Sequence, residues 1–189
     1  MNKQKRLVIV SIVGILVNIV SVQSMFLLQA SAEEDLFETL QIGRFDPPVE
    51  VPNFTLPVIG GEEANLKDYP GKLILLNFWA TWCPYCRTER GALQTTYEKY
   101  QEKGFLVLSV SIDRGEAETV QKFIEDHRIT FPNFHDQTSK VASEFGVRGV
   151  PSTIFIDASG KAIGGVIGPR AWDSAEMHQL IEDLLAQSE

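Results

Sequence analysis

Two cysteines occur in this 189-residue chain, Cys83 and Cys86, three positions apart. Thiols at i and i+3 lie on one helical turn, close enough for their sulfurs to bond without breaking it. A Cys-x-x-Cys set between a strand pattern and a helix pattern reads as a redox pair. As a permanent staple it would close too short a loop to restrict the unfolded chain much. Two cysteines are also too few for a disulfide framework or a Cys-rich structural zinc site. Cys83 falls at the helix start, where unpaired backbone N–H groups and the positive end of the helix dipole favour a thiolate. That makes it the candidate nucleophile, with Cys86 as the candidate resolving thiol. Pro84 suits the first helical turn, where a missing N–H is harmless. Glu89 follows Cys86 by three residues and shares its helical face. A carboxyl partly buried there has its pKa raised and can give or take the resolving thiol's proton.

These residues need a scaffold, and the flanking patterns supply one. Residues 73–79 are an apolar run that reads as a strand, launched by the turn Tyr69-Pro70-Gly71-Lys72. Residues 86–103 read as a helix with Leu93, Tyr97 and Tyr100 near a 3.6 period, stopped at Lys103-Gly104. A buried strand over 105–112 follows, then an amphipathic helix over 117–128 carrying Val120, Phe123 and Ile124. An extended piece at 131–134 and a short helix over 139–145 come next. Strands at 153–156 and 162–167 form a hairpin around Asp157-Ala158-Ser159-Gly160, and a last helix covers 172–186. Gly164-Gly165 inside a strand predicts a bulge or a close backbone contact. Upstream, short strands at 54–57 and 64–66 form a hairpin around Gly60-Gly61. Strands alternating with helices predict an α/β domain over residues 53–189, its sheet covered by helices on both faces.

The first 32 residues differ in kind. Lys3, Lys5 and Arg6 precede an apolar run over 7–28, and Ala30-Ser31-Ala32 follows. This reads either as a signal peptide with a small-x-small cleavage site or as a membrane anchor about long enough to span a bilayer core. Both readings place the rest of the chain outside the cytoplasm, with the basic end inside. Residues 33–52 are acidic, end in Asp46-Pro47-Pro48 before Val49, and read as a linker. Beyond residue 32 the chain holds 14 basic against 25 acidic groups, which disfavours nucleic acid as a partner. His127, His135 and His178 show no mutual ligand spacing and read as surface or helix residues, so no metal and no cofactor are expected.

The run Asn77-Phe78-Trp79-Ala80-Thr81-Trp82-Cys83-x-x-Cys86-Arg87-x-Glu89 resembles membrane-associated thioredoxin-like thiol–disulfide oxidoreductases of the TlpA and cytochrome-c-maturation type. So do Phe54-Thr55-Leu56-Pro57, Asp68-Tyr69-x-Gly71-Lys72, Gly149-Val150-Pro151-Ser152-Thr153 and Ile156-Asp157-x-x-Gly160-Lys161. The resemblance covers about residues 45–187. It implies a thioredoxin fold, a mixed sheet with helices on both faces, with an N-terminal hairpin and a strand–helix insertion near residues 113–134. It further implies a cis Val150-Pro151 bond facing the cysteines and pairing with substrate backbone. Asn77 stands where thioredoxin itself keeps a buried aspartate, which raises the weight on Glu89. Trp82 is expected exposed at the rim and Trp79 in the core.

Two departures stand out. Gly91 replaces the family's usual proline two residues after the glutamate, and the dipeptide Pro84-Tyr85 is the one glutaredoxins use. The implied activity is reduction of client-protein disulfides, for example in apocytochrome c, with electrons drawn from a membrane-embedded thiol carrier. The alternatives are a disulfide oxidase or isomerase, whose direction follows the potential and not the motif, and a non-catalytic thiolate metal-delivery module. A peroxidase of related fold is disfavoured, because the proline-containing pattern before its cysteine is absent.

Overall fold

The computed structural model describes residues 35–187. Chain contacts separate residues 1–35 from 36–189, and the second unit carries the fold. The signal-or-anchor reading of residues 1–32 lies outside the described residues. Among those described, no helix is long and apolar enough to cross a membrane.

The stretch expected to be a linker is instead structured over most of its length. Helix α1 (Leu36–Thr39) buries Phe37, and strand β1 (Gly43–Glu50) pairs with a strand more than a hundred residues later. No alternating buried face marks it in the sequence, because all eight residues of β1 are exposed and two are prolines. Proline cannot donate to a ladder, so such a strand fits only a sheet edge, where it also blocks pairing with other chains. The pairing shifts between Arg44 and Val49, letting the Asp46-Pro47-Pro48 segment leave the ladder.

Strands β2 (Thr55–Pro57) and β3 (Glu63–Asn65) form the expected hairpin. Then come β4 (Leu73–Trp79), α2 (Pro84–Tyr100), β5 (Phe105–Ser111), α3 (Ala117–Asp126) and β6 (Asn133–His135). The chain ends through α4 (Lys140–Glu144), β7 (Ser152–Ile156), β8 (Lys161–Ile167) and α5 (Ala175–Ala186). The six-stranded sheet runs β1-β8-β7-β4-β5-β6, parallel where β4 meets β5 and β5 meets β6, antiparallel elsewhere. This is a thioredoxin-like fold; α3 and the edge strand β6 are the inserted unit.

All seven residues of β4 are buried, as a central strand covered on both faces must be. Its side chains alternate between two cores. Leu73 and Leu75 join Leu93, Tyr100, Trp172, Leu180 and Ile181 under α2 and α5. Ile74, Leu76 and Phe78 join Phe54, Phe134 and Val141 on the opposite face. Asn77 has the parity of Leu75, so it points toward α2. On β8, an added Cβ on Gly164 would meet the Phe37 ring at 2.6 Å and the Gly43 carbonyl at 2.8 Å. The predicted close contact is thus the packing of α1 and β1 onto β8.

Helix α5 begins three residues later than the pattern suggested. Ser174 caps it by accepting from Met177 N at 3.2 Å, which leaves Trp172 in the loop before it, fully buried.

Candidate active site

The cysteines sit where β4 hands over to α2. Cys83 is the N-cap, with extended backbone, and its Sγ accepts from Cys86 N at 3.1 Å. That contact satisfies one of the helix's unpaired donors with the sulfur that would carry negative charge once reduced. Pro84 takes the first helical position. Cys83 and Cys86 are disulfide-bonded, with Cα atoms 5.3 Å apart. Both are buried, while Trp82 and Tyr85 beside them are 64% and 66% exposed. Trp79 is fully buried, as expected.

Val150-Pro151 is a cis peptide, and the Val150 carbonyl oxygen lies 3.6 Å from Cys83 Sγ. The two come from elements 67 residues apart in sequence. Gly168 N donates to the Pro151 carbonyl at 2.8 Å, tying this loop to the end of β8.

Behind the cysteines a polar rung crosses the sheet. Thr153 of β7, Asn77 of β4 and Ser109 of β5 are register partners. Asn77 Nδ2 donates to Thr153 Oγ1 at 3.0 Å and to Glu89 Oε1 at 3.3 Å. Glu89 is only 3% exposed. Its Oε2 also accepts from Trp172 Nε1 at 2.9 Å and Arg170 N at 3.3 Å. Burial raises the Glu89 pKa above the ordinary carboxylate range; the Trp172 hydrogen bond, the Arg90 charge and the Arg170 and Asn77 contacts hold it partly down.

Arg90 completes the rung, and nothing in the sequence pattern singled it out. It is 1% exposed, donates to Ser109 Oγ and Asn77 Oδ1, each at 2.7 Å, and lies 3.9 Å over the Trp79 ring. Trp172 was also missed as a site residue, since its period assigned it to the core helix. The signal for both was indirect: a charge at a core-facing helix position, and a tryptophan just before a Ser cap.

A second polar knot fixes the loop before Cys83. Asp113, 5% exposed, accepts from Thr81 N at 2.9 Å, from the Thr81 hydroxyl and from Ser111 Oγ at 2.7 Å. A groove beside Trp82 is lined by Ile112, Asp113, Arg114, Gly115, Thr119 and Ser139. His135 corrects the expectation for the histidines: it is a buried strand residue, its Nε2 2.9 Å from the Asp113 carbonyl. His127 stacks on Phe123 at 3.9 Å, and His178 lies against Tyr100. Among the described residues, no group of three or more His, Cys, Asp or Glu is placed to hold a metal ion.

Residues 48–163 match the model of the AhpC/TSA family. A "Thiol-disulfide oxidoreductase ResA" of Bacillus thuringiensis is 33% identical over 139 residues, 74% of this chain and 77% of that one. The chain belongs to the AhpC/TSA family, among its thioredoxin-fold thiol–disulfide oxidoreductases. The ResA of Oceanobacillus iheyensis is 36% identical over 129 residues, 66% of this chain and 67% of its own. Among solved structures, a Chlorobium tepidum protein described as a thiol:disulfide interchange protein DsbE superposes with a TM-score of 0.68. It is 30% identical, over 73% of this chain and 96% of its own. The protein is accordingly a thiol–disulfide oxidoreductase, and a reductase direction fits its relatives.

Proposed function

We propose that this protein reduces disulfides of client proteins outside the cytoplasm, with Cys83 as nucleophile, Cys86 as resolving thiol and Glu89 as proton donor and acceptor. Reduced Cys83, as thiolate, attacks one sulfur of a client disulfide. A mixed disulfide forms, and the other client sulfur leaves as a thiolate that takes up a proton. Cys86 passes its proton to Glu89 and attacks Cys83 Sγ, closing the Cys83–Cys86 bond and expelling the second client sulfur. Two electrons have then moved to the client. A thiol donor must return them, and a membrane-embedded carrier is the partner the family resemblance implies. Apocytochrome c is the client the same resemblance implies.

The observation that carries this reading is the placement of Cys83 Sγ against the Val150 carbonyl at 3.6 Å. An extended client segment pairing with Val150 would bring its disulfide onto that sulfur, while the exposed Trp82 offers apolar contact beside it. The N-terminal basic cluster and apolar run support export.

Reduced protein should turn over insulin disulfides, and Cys83→Ser should abolish turnover. Cys86→Ser should retain the first attack and accumulate mixed disulfides with clients. Activity in Cys83→Ser would sink the mechanism. A measured potential near about −120 mV, the order of strong oxidants, would reverse the direction to oxidase.

A further inference from the structure

Arg90 stands on the face of α2 that packs against the sheet, a place where an apolar side chain would ordinarily sit. A guanidinium taken out of water is costly unless its donors are met and its charge is balanced. Here two donors are met by the rung: Nη1 by Ser109 Oγ and Nη2 by Asn77 Oδ1, both at 2.7 Å. The guanidinium carbon lies 3.9 Å over the Trp79 ring. Burial lowers the Arg90 pKa to about 9, partly opposed by Glu89, so it stays cationic at neutral pH.

The consequence lies in Asn77. Its amide has one accepting end and one donating end. Guanidinium nitrogens only donate, so Arg90 compels Oδ1 to face it. The NH2 end is then turned the other way, to Thr153 Oγ1 at 3.0 Å and Glu89 Oε1 at 3.3 Å. Flipped, the amide would set its oxygen against the carboxylate, which repels the ionised form and tolerates the protonated one.

We propose that Arg90 is the positioning residue of this site, locking the Asn77 amide so that it donates to Glu89 and favours the carboxylate that receives the resolving thiol's proton. The inference deepens the proposed role of Glu89 and rests on it. Few other charges bear on that carboxylate. Cys86 precedes it on α2. Arg170, in the loop after β8, offers its backbone N, while its guanidinium is turned to the carbonyls of Leu40, Gln41 and Pro169. The remaining contacts, Asn77, Thr153 through Asn77, and Trp172, are neutral.

The test follows the Glu89 side-chain carboxyl by NMR titration in the oxidised protein, where neither cysteine titrates. Arg90→Met should weaken Glu89 as an acid by about tenfold or more, the scale of losing a nearby opposite charge together with a hydrogen bond to the carboxylate. Arg90→Lys keeps the charge but cannot reach Ser109 and Asn77 together, so it should still show more than half of that shift. A wild-type midpoint in Arg90→Lys would assign the effect to charge alone and overturn the proposal. An unchanged midpoint in folded Arg90→Met overturns the proposal. If that variant does not fold, wild type decides alone. The Arg90 Nη–H and Asn77 Nδ2–H signals should move with the Glu89 midpoint, and their indifference to it overturns the proposal equally. A Glu89 midpoint that moves in Arg90→Met without the pH profile of turnover following it would leave Arg90's positioning intact. It would instead remove Glu89 from the proton transfer.

Discussion

Trp172 donates its indole N–H to Glu89 Oε2 at 2.9 Å, joining the loop before the last helix to a residue 83 positions earlier. The bond meets one lone pair of a carboxylate that the fold has taken out of water. It also anchors the loop that carries Arg170, whose side chain reaches the carbonyls of Leu40 and Gln41. The first and last pieces of the domain are thereby tied to Glu89, three residues after Cys86.

Trp172→Phe keeps most of the ring volume and removes the donor. It should destabilise the protein by about 1–3 kcal/mol, the cost of leaving a buried polar group less satisfied, read by urea denaturation. Because that bond holds the Glu89 pKa down, its loss should raise the pKa further. The acid limb of turnover should move to higher pH with it.

Glu89 also sets a pH dependence of stability. Its folded pKa lies above the ordinary 4.5, so between the two values the folded state binds more protons than the unfolded state. Stability therefore falls as pH rises from the unfolded value through the folded one, and is flat on either side with respect to this group. Glu89→Gln should lose that slope in denaturant titrations of the oxidised protein, the remaining groups contributing equally to both.

Asp113 holds Thr81 by its backbone N–H and its hydroxyl, two residues before Cys83. Asp113→Ala leaves the Thr81 N–H without its acceptor, a loss of about 1–3 kcal/mol. The variant should place Trp82 less well, raising KM for insulin more than it lowers kcat. Equal kcat and KM to wild type would mean the loop is held by other contacts.

Two glycines should respond in opposite ways to alanine. Gly91 lies exposed inside α2, and an added Cβ meets nothing within 4 Å. Gly91→Ala should stabilise by about 1 kcal/mol, from helix propensity and the lost freedom of the unfolded chain, with unchanged turnover. At Gly164 the new methyl would press on Phe37 and the Gly43 carbonyl. Gly164→Ala should lower the melting temperature and loosen α1 and β1, visible as faster amide exchange there.

Much of this protein was legible in order along the chain. The apolar run at 73–79, the i, i+3 cysteines, Pro84 after the first and Glu89 one turn on are local patterns. Backbone periodicity and helix-end chemistry act over a few residues, so they write themselves into neighbouring positions. The motif Gly149-Val150-Pro151 was found through the family resemblance, since no local periodicity marks it. Residues 43–50 were not, because an exposed edge strand with two prolines carries no buried face to generate a period. Tertiary structure alone decided what surrounds Glu89. Asn77, Arg90, Thr153 and Trp172 come from two paired strands, a helix face and a distant loop. Their meeting depends on how the sheet is ordered, and no spacing in the sequence encodes it. A buried charge chooses its partners by proximity in space, which is why the cysteines could be read from the chain and the network behind them could not.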